Sequence, residues 1–187
     1  DIEDELAEVY LDIGRYKAAA KLIDETLEKR SQQFGENSRH LNDPILLSAR
    51  HKMIVGDYTA AEKLAKKAND LTKQIFGESS VKTTASSVLL AKIYTTLGDY
   101  DKAQNLLEGA IAIRSNQFGK NHVDVARATS DLALVKYYNE EEVNDVEDLF
   151  LTAERVIGKK LGSTNPYYAE ILKNLALVYI ADKRYDE

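Results

Sequence analysis

The sequence has no cysteine and no tryptophan, and it contains only two prolines and nine glycines in 187 residues. Without cysteine, disulfide bonds and cysteine-based zinc sites are excluded. With so little proline and glycine there is little material for long loops. The missing disulfides fit an intracellular protein and also an exported one that needs no covalent cross-links. Of these two, we expect a cytoplasmic location.

Runs of lysine or arginine are also missing, and the formal net charge is -6. Phosphate binding needs concentrated positive charge, so we expect no nucleic acid partner. The longest uncharged stretch in the middle of the chain, 83–91, has nine residues. A membrane-spanning helix needs about 20, so we expect no membrane insertion. The chain begins inside a helical pattern and ends at 185–187, where another helix should start, so we expect a fragment of a larger protein.

Catalytic motifs are absent as well. The sequence contains no phosphate-binding loop, nucleophile elbow or His-Glu-x-x-His motif. His40, His51 and His122 lack metal-ligand spacing and are interpreted as structural or surface residues. The acidic run 140–148 lacks the spacing and central glycine of a calcium loop, and it is typical of a helix start. We therefore expect no enzymatic activity, no cofactor and no metal.

An internal repeat dominates what is present. A Gly-x-Tyr-x-x-Ala motif recurs every 42 residues, at 14–19, 56–61 and 98–103. A large apolar residue followed by glycine recurs in step, at 34–35, 76–77, 118–119 and 161–162. A Leu-Ala pair followed by tyrosine occurs at 6–10, 90–94 and 175–179. Three independent markers in one register indicate a repeated structural unit.

Each repeat is predicted to form two helices, because its apolar residues recur twice at three- and four-residue steps. Glycine closes both helices. Start signals are Asn42-Asp43 before Pro44, Asn165 before Pro166, serine at 79–80, and a capping-box spacing from Asn121 to Asp124. The first helices are expected near 1–13, 43–55, 79–97, 122–138 and 165–181. The second helices are expected near 16–33, 58–75, 100–117 and 142–160.

Small residues recur where the two helices of a hairpin must approach closely. They are Ala7, Ala49, Ala91 and Ala176 in first helices, and Ala19, Ala61 and Ala103 in second helices. The fourth repeat departs from the pattern, because 141–146 replaces the glycine motif and the repeat has one extra residue. We expect an altered hairpin turn there.

The pattern Leu-Ala-x-x-Tyr-x-x-x-Gly-x-Tyr-x-x-Ala, at 6–19 and 90–103, resembles the tetratricopeptide repeat. The usual period of that repeat is about 34 residues. The longer period here, with Phe-Gly closing the first three repeats and Asn165-Pro166 opening the last, resembles the kinesin light chain type. This resemblance implies an all-α, right-handed α-α superhelix, or solenoid, of about four and a half helix-turn-helix repeats. A single array over 1–187 is expected, with repeats near 1–42, 43–78, 79–120, 121–163 and, incomplete, 164–187.

The resemblance also implies that first helices line a concave face that binds a partner protein or peptide. The candidate positions on this face are Asp4, Glu8, Arg50, Met53, Lys92, Thr95, Asp131, Val135, Tyr138, Lys173, Asn174 and Leu177. Their mixed charge suits an extended peptide with basic and acidic ends, and the alternative is that they are ordinary solvated positions. Related binders of terminal carboxylates carry Lys and Asn where Asp4 and Glu8 stand, which disfavours that ligand.

The leading hypothesis is therefore a protein-interaction module or scaffold. The alternative is a regulatory or oligomerisation segment of a larger multidomain protein of signalling or peptidase type. Self-association into a homo-oligomer is left open.

Overall fold

The computed structural model describes residues 1–184, and within that range it contains helices and no strand. The α-helices are α1 (Ile2–Asp12), α2 (Tyr16–Phe34), α3 (Asn42–Ile54), α4 (Tyr58–Phe76), α5 (Val81–Leu97), α6 (Tyr100–Phe118), α7 (Val123–Tyr138), α8 (Val143–Leu161) and α9 (Pro166–Ala181). The predicted helices are confirmed, with bounds within two residues. A 3-10 helix at Arg39–Leu41 was not predicted. The helix start expected at 185–187 lies outside the described residues.

The first helix of every repeat ends in the same hydrogen-bonded turn. At the end of α5, the Gly98 amide donates to the Thr95 carbonyl and the Asp99 amide donates to the Tyr94 carbonyl. This pair of bonds defines a Schellman motif, which needs a residue with positive φ. Glycine supplies it at 14, 56 and 98, whereas Glu140 and Lys183 supply it with φ of 56° and 61°.

The hairpin turn of the fourth repeat is altered as expected, because it is longer, but it closes the first helix in the same way. The Glu140 amide donates to the Tyr137 carbonyl and the Glu141 amide donates to the Lys136 carbonyl, as in the glycine turns. The extra residue follows the closure, because α8 begins only at Val143. The turn is therefore one residue longer, and its closing geometry is unchanged.

Two of the predicted helix caps are confirmed and two are wrong. Helix α3 begins at Asn42 itself, after Leu41 and without a side-chain cap, so Asn42 does not cap it. The Ser80 hydroxyl accepts from the Lys82 amide, and the Asn165 side chain accepts from the Tyr167 amide. At α7 the capping residue is His122, whose Nδ1 accepts from the amide of Asp124 at 3.2 Å. Asn121 does not cap this helix, because the chain turns into the helix one residue later than the capping-box spacing suggested.

The chain divides into two compact units, Asp1–Ile93 and Tyr94–Glu187, with the division inside α5. In the N-terminal unit the hairpins α1–α2 and α3–α4 pack against each other through α2 and α3. In the C-terminal unit α6, α7, α8 and α9 pack in chain order, and α9 also contacts α7. Stacking of consecutive hairpins is the arrangement of an all-α helical repeat of the solenoid class.

Each unit has its own core. In the N-terminal unit one cluster joins α1 to α2 and another joins α3 to α4; their buried members are Ala7, Leu11, Ala19, Ile23, Leu41, Ile45, Ala68 and Leu71. In the C-terminal unit the core centres on Phe150 of α8, which is fully buried between α7 and α9 residues. The alanines expected at close helix approaches are buried, with the exception of Ala176, which is exposed.

An arginine near the end of a second helix holds the start of the following hairpin in both units. Arg30 of α2 donates to the carbonyl of His40 at 3.0 Å. Arg114 of α6, which occupies the same place in the repeat, donates to the carbonyl of Asp124 at 3.0 Å. Burial lowers the pKa of the Arg114 guanidinium, and the carboxylates of Asp124 and Asp131 partly oppose this shift. These bonds fix the starts of α3 and α7.

Candidate partner-binding face

The first helices of the N-terminal unit bring two predicted site residues into direct contact. The Arg50 guanidinium on α3 lies 3.1 Å from the Glu8 carboxylate on α1, and it also pairs with Asp12. Both carboxylates are more than half exposed, so solvent screening leaves each pair worth about 0–1 kcal/mol. The basic and acidic charges of this face therefore neutralise each other in part.

Asp4 has a structural role. Its carboxylate accepts from Arg30 at 2.8 Å, and the two side chains are 11% and 8% exposed. Burial raises the pKa of Asp4, although the hydrogen bond and charge of Arg30 act in the opposite direction. A partner cannot contact this carboxylate without breaking the buried pair.

A cavity of about 470 Å³ lies beside this pair in the N-terminal unit. The starts of three first helices line it, with Asp4 from α1, Asn42 from α3 and Lys82 from α5. Asp4 Oδ1 and Asn42 Oδ1 are buried acceptors that have no hydrogen-bond partner among the described residues. Polar atoms in this state are destabilising by about 1–3 kcal/mol each. Both atoms have almost no accessible surface, so they are unsatisfied within the protein and a partner in the cavity does not reach them.

Both signs of charge surround the cavity mouth. Arg39, Asp43 and Lys82 line it, and all three are exposed. The Lys82 ammonium lies 4.3 Å from the centre of the Phe76 ring, which holds the lysine by a cation–π contact. A polar segment with acidic and basic side chains fits this lining better than an apolar one.

The cavity residues Arg39, Asn42, Asp43 and Lys82 were missed as site residues by the sequence analysis. They lie at helix starts and in the 3-10 helix, whereas the predicted positions other than Asp4 lie further along the first helices. No motif marks them. The one usable signal was that the starts of successive first helices fall in register every 42 residues.

In the C-terminal unit the predicted site residues separate into three groups. Val135 and Asn174 are 1% and 6% exposed, so they support the helices and are closed to a partner. Lys173, Leu177 and Tyr138 are exposed, and Thr95 and Asp131 are half-buried. The Tyr138 ring packs against Tyr100 of α6, with centroids 6.1 Å apart. In the N-terminal unit, Met53 and Lys92 are likewise half-buried.

Two of the three histidines stack on phenylalanine rings. The His40 ring lies against Phe34 and the His122 ring against Phe118, with ring centroids 4.2 and 4.5 Å apart. Burial lowers the pKa of His51, the third histidine.

The acidic run is divided among ion pairs and a helix start. Glu141 pairs with Lys136, and Glu147 pairs with Arg184 and accepts from the Tyr179 hydroxyl. Across residues 1–184 no three His, Asp or Glu side chains are grouped to hold a metal ion. No helix in this range is both long and apolar enough to cross a membrane.

These features define the class of protein as an all-α array of stacked helical hairpins. The tetratricopeptide repeat model matches residues 44–115 and 82–142, which together span more than half of the chain. The chain therefore belongs to the tetratricopeptide repeat family. No curated protein sequence matches it.

Solved structures of kinesin light chain-like repeats share its fold. The kinesin light chain TPR-like repeats of Podosopora anserina superpose with a TM-score of 0.76 at 21% identity, covering 98% of this chain and 87% of that one. A point variant of those repeats superposes with the same TM-score and identity. BtubC (BKLC) of P. vanneervenii superposes with a TM-score of 0.78 at 21% identity, covering 97% of this chain and 72% of that one.

Proposed function

We propose that this chain is a non-catalytic scaffold that binds a partner protein or peptide on the face formed by its first helices. Tetratricopeptide repeats generally act as protein-protein interaction scaffolds, and the chain belongs to that family. The observation that carries the proposal is the cavity of about 470 Å³ at the starts of α1, α3 and α5. It supplies a recess and exposed charges of both signs at one place.

The lining indicates the chemistry of the partner segment. Arg39 and Lys82 at the mouth would attract acidic side chains, and Asp43 would attract a basic one. Further along the same helices, the half-buried residues Arg50 and Met53 would extend the contact. We infer that the partner presents an extended polar segment with charges of both signs, and that it meets this face in the cytoplasm.

Selection from a random peptide library displayed on phage would test this proposal. Peptides selected on the wild-type chain should bind the Arg39→Glu/Lys82→Glu variant about tenfold more weakly or worse, since reversed charges repel where they attracted. The matched control is Lys63→Glu/Lys67→Glu, which reverses two exposed lysines on the second helix α4. Isothermal titration calorimetry would measure all three affinities.

Two results would count against the proposal. One is a library from which no peptide is enriched. The other is a set of peptides whose affinity depends on Lys63 and Lys67 and is unchanged by the cavity variant, because binding would then use the second helices.

A further inference from the structure

Four buried polar side chains lie where helix α4 meets helix α5. The Thr72 hydroxyl oxygen of α4 is 3.3 Å from the Ser86 hydroxyl oxygen of α5, and neither side chain is accessible to solvent. Asn69 and Thr83, three residues earlier on the same two helices, are 4% and 2% exposed. All four residues lie inside the N-terminal unit. We name Asn69, Thr72, Thr83 and Ser86 the polar seam.

The equivalent places in the other joints between consecutive hairpins are mostly hydrophobic. The places repeat every 42 or 43 residues, and in each of the other three joints three of the four residues are hydrophobic. They are Leu27, Arg30, Leu41 and Pro44 for α2 and α3; Ile111, Arg114, Val125 and Ala128 for α6 and α7; and Glu154, Ile157, Tyr168 and Ile171 for α8 and α9. Leu27 packs on the core cluster that contains Leu41, and Ile157 and Ile171 share another cluster. The polar seam therefore stands where the other joints have hydrophobic residues.

The seam also replaces the arginine that holds the following first helix in two other joints. Arg30 and Arg114 donate to the chain at the starts of α3 and α7, and Thr72 occupies their place in the seam. The start of α5 is tied instead by the Thr83 hydroxyl, which donates to the Gly77 carbonyl at 3.0 Å. This neutral hydrogen bond takes the place of a charge-assisted one, which is roughly twice as strong.

The hydroxyl contact across the seam competes with hydrogen bonds inside each helix. The Thr72 hydroxyl donates to the Ala68 carbonyl at 2.8 Å, and the Ser86 hydroxyl donates to the Thr83 carbonyl at 2.8 Å. Each hydroxyl has one proton, so a hydrogen bond between Thr72 and Ser86 requires one of these helix bonds to break. Asn69 Oδ1 is buried and has no hydrogen-bond partner among the described residues. The seam therefore buries polar groups and gains little hydrogen bonding between α4 and α5.

Opening at the seam costs less free energy than opening at a hydrophobic joint. Buried hydroxyl and amide groups give up hydrogen bonds to water when the joint closes, and they recover these bonds when it opens. Hydrophobic side chains have no such compensation, so joints that bury them resist opening more strongly. The other side of α4 is closed against α3 by the core cluster of Leu41, Ile45, Ala68 and Leu71. Of the two neighbours of α4, helix α5 is therefore held more weakly.

We propose that the first turns of α5 detach from α4 at the polar seam while the α3–α4 hairpin stays folded, and that this joint is where the array opens. Lys82 and Ala85 of the detaching segment line the cavity at the helix starts, so the open state lacks one wall of that cavity. The proposal goes beyond partner binding and does not depend on whether a peptide occupies the cavity.

Amide hydrogen exchange of the full wild-type chain provides the first test. Each amide of 85–92 in α5 is compared with the amide 42 residues later, at 127–134 in α7, which occupies the same place in its own repeat. After correction for intrinsic exchange rates, the α5 amides should exchange about tenfold faster or more, because they open without global unfolding. Equal or slower exchange in α5 would overturn the proposal.

Variants that make the seam hydrophobic provide the second test. Asn69→Leu/Thr72→Val/Ser86→Ala removes the polar groups with little change in volume at Thr72 and Ser86, and it should slow exchange at 85–92 about tenfold or more. Asn69→Leu alone removes the unpartnered oxygen and places there the residue type of Leu27. It should slow the same amides severalfold, and it serves if circular dichroism shows that the triple variant is misfolded.

The matched control makes the same types of substitution outside the seam. Thr26→Val/Asn105→Leu changes a buried threonine of α2 and an exposed asparagine of α6, and it should leave exchange at 85–92 unchanged. The proposal is overturned if a folded seam variant exchanges at 85–92 as fast as the wild type, or if the control slows these amides equally. Peptide affinity does not enter either measurement, so failure of the partner-binding proposal would be seen separately.

Discussion

Five residues close first helices with a positive φ, and three of them are glycine. Glu140 and Lys183 adopt the same backbone geometry with a side chain, which costs about 1–2 kcal/mol for an L-residue. Glycine avoids this strain but loses about 0.5–1 kcal/mol more conformational entropy on folding. The balance favours glycine at these positions.

Exchanging residues between two equivalent turns tests this balance. Glu140→Gly should stabilise the folded chain by about 0.5–1 kcal/mol, and Gly98→Glu should destabilise it by a similar or larger amount. Both changes leave the hydrogen bonds of the Schellman turn available. Urea denaturation would measure the free energies of unfolding. A lower stability for Glu140→Gly would show that the glutamate side chain makes a contact worth more than the strain.

A single substitution can also test how much the Asp4–Arg30 pair contributes to the stability of the folded chain. Arg30→Met should destabilise the chain by about 3–5 kcal/mol, because the Asp4 carboxylate is then buried without its partner. The double variant Asp4→Leu/Arg30→Met should recover most of this loss, since two apolar side chains of similar volume can pack together. Thermal and urea unfolding of both variants would check the prediction. Equal destabilisation of the single and double variants would contradict it, and would assign the effect to the Arg30–His40 hydrogen bond.

At the scale of elements, the helices could be predicted because their signals are local. Apolar periodicity and terminal glycine are properties of short windows, and both recur every 42 residues. Gly35 and Gly77 explain the Phe-Gly marker, since they end α2 and α4 with φ near 84° and ψ of 160°, where backbone is essentially restricted to glycine.

The remaining features depend on tertiary contacts. The 3-10 helix at Arg39–Leu41 is held by the hydrogen bond from Arg30 of α2 to the His40 carbonyl, and no local sequence pattern predicts it. Exposed residues lie on the same helical faces as Asp4, Val135 and Asn174. Only the packing of neighbouring helices determines that these three side chains are buried. The candidate site was therefore predicted at the level of helices, and its cavity was not.

The two glycines inside helices make a matched pair. Gly109 of α6 is exposed and has open space where the Cβ of an alanine would lie, so Gly109→Ala should stabilise the chain by about 1 kcal/mol through helix propensity. In α8 a Cβ on Gly158 would lie 2.9 Å from Cε2 of Tyr168, so Gly158→Ala must displace that ring. At Gly158 the gain in helix propensity should be offset by the displacement of the Tyr168 ring, so that Gly158→Ala stabilises the chain less than Gly109→Ala or destabilises it.

Thermal melts of both alanine variants would measure this difference. The tyrosine ring contacts the core of the C-terminal unit, so near-ultraviolet circular dichroism should change for Gly158→Ala and stay the same for Gly109→Ala. Equal stabilisation by the two alanines would mean that the Tyr168 ring moves aside at no cost.

At the scale of the whole molecule, the chain divides into two compact units, and each contains core clusters of its own. Repeat arrays gain stability mainly from contacts between neighbouring repeats, so a local defect has its largest effect nearby. Strict two-state unfolding is not expected for such a chain. Local opening, measured by amide hydrogen exchange, is therefore more informative than a single melting temperature.

Substitutions that leave a large cavity in the core of one unit at a time test whether the two units unfold independently. Phe150→Ala in the C-terminal unit should cost about 3–5 kcal/mol, and Ile23→Ala in the N-terminal unit about 2–5 kcal/mol, since both side chains are almost fully buried. Hydrogen exchange should accelerate most in α7, α8 and α9 for Phe150→Ala. For Ile23→Ala it should accelerate most in α1, α2 and α3. Uniform acceleration along 1–184 in either variant would show that the units unfold as one cooperative body, because a cavity in one core would then have weakened both.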